Sequence, residues 1–236
     1  MIKAVVFDFG QTLVDAAGGF RAAEKEAQEK ILADLGLMNK EEFLEHYRRI
    51  RNECHARSRL SRKMIWEEVY WYYCKASDDK KLEKWEEQYW QTVKVNTRLF
   101  PETEKVLAEL VGNYKLGMIT NTQGQKRNAK HRISEYPQLE RFFEVIIVAG
   151  QEAVPPKPAQ EPFRLCLEQL AVAAPEAVYV GDDWRVDIEG AAKVGMRPVW
   201  IKHHLVKRNW PIVKTEVAVI TSLEGLRDVI SSRFKV

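Results

Sequence analysis

Cysteine is scarce. Cys54, Cys74 and Cys166 are odd in number, far apart, and form no CxxC pair. A disulfide framework and a structural zinc site are therefore not expected, and a reducing, cytoplasmic setting fits best. Long apolar runs are absent too: none reaches the ~18 residues of a membrane span. A strand-like run begins already at Ile2, so no leader peptide is expected ahead of it. Charge of one sign is hardly in excess. Lys and Arg number 37 against 34 Asp and Glu, a net +3. That is too mild to argue for nucleic acid, and no basic-aromatic RNA motif is visible. Internal repeats and low-complexity tracts are missing. What is left is a chain of 236 residues with 45% apolar side chains, enough to bury a core in one large domain or two small ones. No nucleic-acid partner and no membrane are expected, and the chain is expected as a monomer or homodimer.

What is present is organised around Val5-Val6-Phe7-Asp8-Phe9-Gly10-Gln11-Thr12-Leu13. Ile2 to Phe7 reads as a buried strand that ends abruptly in a carboxylate. From about residue 19 the periodicity turns helical for some eighty residues. Asn39 with Glu42 forms a capping box, and Phe43, Tyr47, Ile50 and Cys54 line the helix that follows. Ile65, Val69 and Tyr72 line another, and Leu82, Trp85, Tyr89 and Val93 a third. Gly18-Gly19 precede this block and Asn96-Thr97 follow it. The expectation is an α-helical domain, 19–95, inserted with hinges at those two points into an α/β core of 1–18 and 96–236. In that core Pro101 starts a helix. Strands are expected at Tyr114–Ile119, Val145–Val148, Ala177–Val180, Pro198–Ile201 and Val217–Ile220. Helices are expected at Glu161–Leu170 and near 222–232, the last capped by Thr221 with Glu224. Alternating strands and helices imply a Rossmann-like, doubly wound parallel sheet.

Four stretches carry chemistry. Asp8 stands at a strand end, where open parallel sheets bind ligands. Thr120-Asn121 ends the second strand. Lys157 projects from Pro155-Pro156-Lys157-Pro158, a loop stiffened by its prolines. Gly181-Asp182-Asp183 ends the fourth strand, with Asp187 one turn on, and such an oxygen-rich cluster suits Mg²⁺. Each has a plainer reading. Asp8 alone is a turn or cap residue, and Thr120 a cap for a helix over Gln125–Arg132. Lys157 alone is solvated surface, and Asp182 or Asp183 caps the next helix.

Together, and in this order, the four resemble the motifs of the haloacid dehalogenase superfamily. Asp8-Phe9-Gly10-Gln11-Thr12 is similar to its first motif, Asp-x-Asp-x-Thr, and Thr120 to its second. Lys157 matches its third, and Gly181-Asp182 through Asp187 its fourth. The resemblance covers 1–15 and about 97–202; over 16–96 it extends only to the idea of a helical cap. It implies a hydrolase in which Asp8 attacks phosphorus and forms an aspartyl-phosphate. Mg²⁺ would be held by Asp8, the carbonyl of Gly10, Asp182 and Asp187. Thr120, Asn121 and Lys157 would bind the phosphoryl oxygens of a small phosphorylated metabolite. Asp8, Thr120 and Lys157 would carry the catalysis.

One departure matters. The family's second Asp, which protonates the leaving group, is Gly10 here. A phosphatase that favours good leaving groups, or that takes its proton from water or a cap residue, is one reading. A dehalogenase-type hydrolase acting at carbon, which needs no such acid, is another, though the acidic fourth motif would then lack a purpose. A non-catalytic module binding a phosphorylated ligand or a protein is a third. The basic stretch Arg48, Arg49, Arg51, Arg57, Arg59, Arg62 and Lys63 reads as solvated helix faces. Trp66, Trp71, Trp85 and Trp90 read as core or interface, and His203-His204 as a solvated loop.

Overall fold

The computed structural model describes residues 1–57, 59–122, 132–150, 153–207 and 209–234. The chain runs β1 (Ala4–Phe7), β2 (Val14–Asp15), α1 (Ala17–Leu35), α2 (Lys40–Ala56), α3 (Arg62–Tyr72), α4 (Asp79–Val95) and β3 (Arg98–Leu99). It continues through α5 (Thr103–Val111), β4 (Lys115–Asn121), α6 (Pro137–Glu140), β5 (Val145–Ala149) and α7 (Glu161–Leu170). β6 (Ala177–Gly181), a π-turn at Trp184–Ile188, α8 (Glu189–Lys193), β7 (Arg197–Ile201), β8 (Ala218–Ile220) and α9 (Leu226–Arg233) complete it.

Two compact units emerge, one from Met1–Asp15, Arg98–Asn121 and the chain beyond 130, the other principally from Ala16–Thr97. In the first, six parallel strands lie in the order β5-β4-β1-β6-β7-β8. β1 is central, which is why its four residues are all apolar and buried. Side chains alternate across the sheet. Val5 and Phe7 meet Val106, Leu107 and Leu110 of α5 and Leu226 and Ile230 of α9. Ala4 and Val6 meet Phe163, Cys166 and Leu170 of α7 on the opposite face. Helices on both faces make the fold doubly wound. The chain builds outward from β1 through β4 to β5, then returns to its other side with β6, β7 and β8. That reversal puts a topological switch point at the carboxyl end of β1.

A two-stranded antiparallel ribbon of β2 and β3 belongs to the same unit. Its strands are two residues each, too short to leave a periodic signal. The last helix lacks the Thr221 cap: Ser222, whose hydroxyl takes the Glu224 N–H at 3.3 Å, caps a 3₁₀ turn over Leu223–Gly225, and α9 follows it with Gly225 at its N-cap and no side-chain cap. Pro101 lies in a turn, and α5 begins at Thr103. His203 is not solvated. It is fully buried, stacked on Phe100 at 3.5 Å and 2.9 Å from the Glu102 carboxylate. The helix expected over Gln125–Arg132 falls outside the described residues, apart from Arg132 in a 3₁₀ turn.

In the second unit, α1 to α4 close on their own apolar core, with Ile31, Phe43, Tyr47, Trp66 and Val93 at its centre. Asn39 caps α2 as expected, accepting the Glu42 N–H at 3.2 Å, and its amide donates to the Glu42 carboxylate at 3.2 Å. Gly18 and Gly19 do not precede the helices; they lie in the first turn of α1. The reason is packing. A Cβ on Gly19 would stand 2.7 Å from the Val93 carbonyl oxygen, so only glycine lets α1 and α4 approach this closely. Arg62 is buried too, its guanidinium 5.1 Å from the Tyr89 ring centre. Trp66 sits in this core with its indole N–H on Tyr47, whereas Trp71 is 77% exposed. Among the described residues, no helix is long and apolar enough to cross a membrane.

Candidate active site

Three adjacent strands deliver their ends to one place. Phe7 pairs with Met118 on β4 and Val180 on β6, so Asp8, Thr120 and Asp182 follow at nearly one level. The Asp8 N–H continues the ladder to the Val180 carbonyl at 2.9 Å. Beyond it the chain turns back on itself. Leu13 N–H reaches Phe9 O, Gln11 N–H reaches Val14 O, and Gln11 adopts the left-handed φ of 60°. This turn keeps Thr12 buried, its hydroxyl 3.5 Å from Asp8 Oδ2.

Lys157 is 3% exposed, far from the solvated loop lysine of the plainer reading. Its ammonium donates to Asp8 Oδ1 (2.8 Å), Asp187 Oδ1 (2.7 Å), the Ile119 carbonyl (2.9 Å) and the Tyr179 hydroxyl (2.8 Å). Its backbone is pinned by Asn121, whose side-chain oxygen accepts the Lys157 N–H at 2.8 Å and whose amide donates to the Lys157 carbonyl at 3.0 Å. Asn121 was expected to bind phosphate. Its side chain holds the backbone of the lysine loop. Thr120 is buried at the end of β4 as expected.

The acids converge as well. Asp8, Asp182 and Asp187 are all buried, and one oxygen from each lies within 4.8 Å of the others. Asp183 caps the π-turn, accepting Val186 N–H at 2.9 Å. Its own N–H holds Asp187 Oδ2 at 3.0 Å. The π-turn, a geometry common at functional sites, follows this loop directly. Gly181 makes it possible: a Cβ there would fall 2.4 Å from Asp187 Cβ. An all-oxygen, anionic donor set of this kind fits a hard divalent cation such as Mg²⁺.

The electrostatics follow from burial. Loss of water raises the Asp8 carboxyl from 3.8 to about 6; Lys157 opposes the shift and Asp187 adds to it. Burial also works against the Lys157 charge, but Asp187 and Asp8 outweigh it and hold the ammonium above its ordinary range. The two partners move as they do because one cation faces two anions. Lys157 gains from both, whereas Asp8 has a second carboxylate beside it. Burial, then Asp187 and Asp8, hold the Tyr179 hydroxyl protonated.

Residues 5–201 match the family model described as haloacid dehalogenase-like hydrolase. The chain belongs to this family. This haloacid dehalogenase-like hydrolase is 29% identical over 210 residues to N-acylneuraminate-9-phosphatase of Rattus norvegicus, covering 85% of this chain and 82% of that one. A phosphatase of the same superfamily from Thermococcus onnurineus superposes with a TM-score of 0.69 at 25% identity, over 99% of this chain and 100% of that one. A 2-haloacid dehalogenase from Pseudomonas syringae superposes with 0.68 at 26%, over 98% and 99%.

In this hydrolase the structure brings together Asp8, Thr120, Lys157, Asp182 and Asp187 on the strand ends and loops named from the sequence. Two groups were not foreseen. The Ile119 carbonyl has no side-chain signature at all. Tyr179 reads as one more strand residue, and the available signal was its place two residues before Gly181, on the same face of β6.

Proposed function

We propose that the protein is a Mg²⁺-dependent phosphatase that hydrolyses a small phosphorylated metabolite through an aspartyl-phosphate on Asp8. The observation that carries this reading is the buried triad Asp8, Asp182 and Asp187 beside the Lys157 ammonium. Asp8, Asp182, Asp187 and the carbonyl of Gly10 would hold the metal, which supplies positive charge against the phosphoryl oxygens when bound. A carboxylate of Asp8 attacks phosphorus while the bond to the leaving oxygen breaks. Water then attacks the aspartyl-phosphate, releasing inorganic phosphate and restoring Asp8. Thr120 and Lys157 donate to the phosphoryl oxygens, whose negative charge is the main obstacle. The N-acylneuraminate-9-phosphatase relative supports phosphorus rather than carbon as the centre attacked.

Gly10 has no proton to give. The leaving oxygen must then take its proton from water, which favours esters whose leaving group is a stable anion. The same gap supports a second reading, displacement of halide from carbon, to which the similarity to a 2-haloacid dehalogenase also points. Phosphate esters and 2-haloacids assayed with and without Mg²⁺ separate the two. The phosphatase reading expects metal-dependent release of phosphate, lost in Asp8→Asn. Metal-independent release of halide overturns it in favour of the second. Release of neither product leaves a module that binds without turnover.

A further inference from the structure

Lys157 has three protons and four acceptors within 2.7–2.9 Å. Three of those acceptors, Asp8, Asp187 and Ile119 O, would satisfy it alone. The Tyr179 hydroxyl is therefore not needed to solvate the ammonium. It differs from the other three in that it also donates. Its proton faces Asp187 Oδ1 at 3.1 Å and the Ile119 carbonyl at the longer 3.4 Å. The hydroxyl thus bridges Lys157 and Asp187, accepting from one and donating to the other.

The rest of β6 is shaped around this bridge. Tyr179 and Gly181 are two apart and share a face of the sheet. One carries a long side chain that is fully buried; the other carries none. The difference in height makes a step into which Asp187 drops, with its Cβ where any side chain at 181 would collide. Phe163 of α7 meets the Tyr179 ring edge-on, centroids 5.1 Å apart, and fixes its direction. Asp187 Oδ1 is then set by Lys157 and Tyr179, and Oδ2 by the Asp183 N–H.

We infer that Tyr179 is a positioning residue, whose hydroxyl orients Asp187 and keeps Lys157 shared between Asp187 and Asp8. Without it Asp187 loses a donor and competes more strongly for the ammonium, drawing Lys157 away from Asp8. A phenyl ring of the same size keeps the contact with Phe163, so the effect belongs to one oxygen atom. Outer contacts that orient ligating side chains typically change metal affinity or activity by about 10–100-fold when removed.

The inference rests on the phosphatase reading, so Tyr179→Phe is to be measured in two ways. Calorimetry with Mg²⁺ alone, no substrate present, should show affinity about tenfold weaker than wild type or more. Hydrolysis of p-nitrophenyl phosphate should show kcat lowered by a similar factor with KM near wild type, since the loss is in alignment and not in substrate binding. Thermal unfolding should show a variant as folded as wild type at the assay temperature. Tyr179→Met also lacks the hydroxyl and carries the same expectations should the first variant not be recovered folded. Wild-type Mg²⁺ affinity and kcat in a folded variant overturn the inference. So does a loss of kcat that merely follows the fraction unfolded. If the wild-type protein binds Mg²⁺ yet releases no phosphate from any ester, the phosphatase reading fails, while the Mg²⁺ titration still decides the role of Tyr179.

Discussion

Asp8 is held where water would be worth most to it. Its carboxyl is raised from 3.8 to about 6, first by burial, so between those values the folded protein keeps a proton that the unfolded chain has released. Stability from this group therefore falls as pH rises through that window. A shift from 3.8 to about 6 corresponds to roughly 3 kcal/mol. Asp8→Asn cannot titrate. In metal-free protein, urea denaturation should show Asp8→Asn gaining on wild type by up to about 3 kcal/mol between pH 4 and pH 7. A constant difference across that range would show that Lys157 already cancels the cost of burial. The same variant should release no phosphate. Gly10 is the complementary test. A carboxyl there would stand two residues beyond the nucleophile, and general acid catalysis is worth about 10²–10⁴-fold when the leaving group is poor. Gly10→Asp should raise kcat on alkyl phosphates well beyond any gain on p-nitrophenyl phosphate. Equal gains, or none in a folded variant, would mean that another group supplies the proton.

At the scale of elements, the strand ends were the most legible part of the sequence, for a physical reason. A strand buried on both faces must be apolar throughout, so a polar residue that follows it abruptly, such as Asp8 or Asp182, stands out. Lys157 was legible only through its place in the order of motifs, because nothing local distinguishes a buried lysine from a solvated one. The contact of Asn121 with the Lys157 backbone was not legible, since it depends on a loop that folds back across 36 residues. The burial of His203 was not legible at all. Its surroundings come from Phe100, Glu102 and Ser222, elements distant in sequence. Leu205 N–H donates to its Nδ1, so Nε2 carries the proton and faces Glu102 Oε1. Glu102 in turn accepts from the Ser222 hydroxyl and the Leu223 N–H. One imidazole thereby ties the chain after β7 to the start of α5 and the turn before α9. Burial lowers its pKa, Glu102 opposing and His204 adding to the effect. The unfolded chain takes up a proton near pH 6.5 that the folded one refuses, so stability is lost as pH falls below that value. Denaturation at pH 7 and pH 5.5 should show wild type losing more than His203→Gln, which keeps a donor for Glu102. Equal losses would show that the imidazolium is accommodated. Glu102, whose carboxyl is lowered, adds its own loss only below 4.5, outside this window.

For the whole molecule the informative feature is the smallest. Asp15 and Arg98 face each other as the last pair of the β2–β3 ribbon, and Val14 pairs with Leu99. The helical unit, Ala16–Thr97, departs and returns exactly between them. Directly opposed residues of an antiparallel pair are about 5 Å apart, the spacing that a two-residue turn closes. The base of the ribbon is held without the helices: the Thr103 hydroxyl donates to Leu13 O at 2.8 Å and Phe100 N–H to the same oxygen at 3.2 Å. The sheet and both its covering layers lie outside 16–97 as well. Replacing 16–97 by Asn-Gly should therefore leave a chain that closes the ribbon as a type I′ hairpin and folds on its own. Three of the seven tryptophans, Trp184, Trp200 and Trp210, remain to report on it. Trp200 is buried, its indole N–H on the Asp182 carbonyl, and it meets Trp184 at 5.0 Å. Its fluorescence thus reads the acid loop directly. A single cooperative transition in thermal unfolding, followed by tryptophan emission, is the expected result. Mg²⁺ titration of the shortened chain should retain binding, because Asp8, Asp182 and Asp187 are all outside the excised segment. A broad, non-cooperative transition would show that the α/β unit needs residues 16–97 to fold.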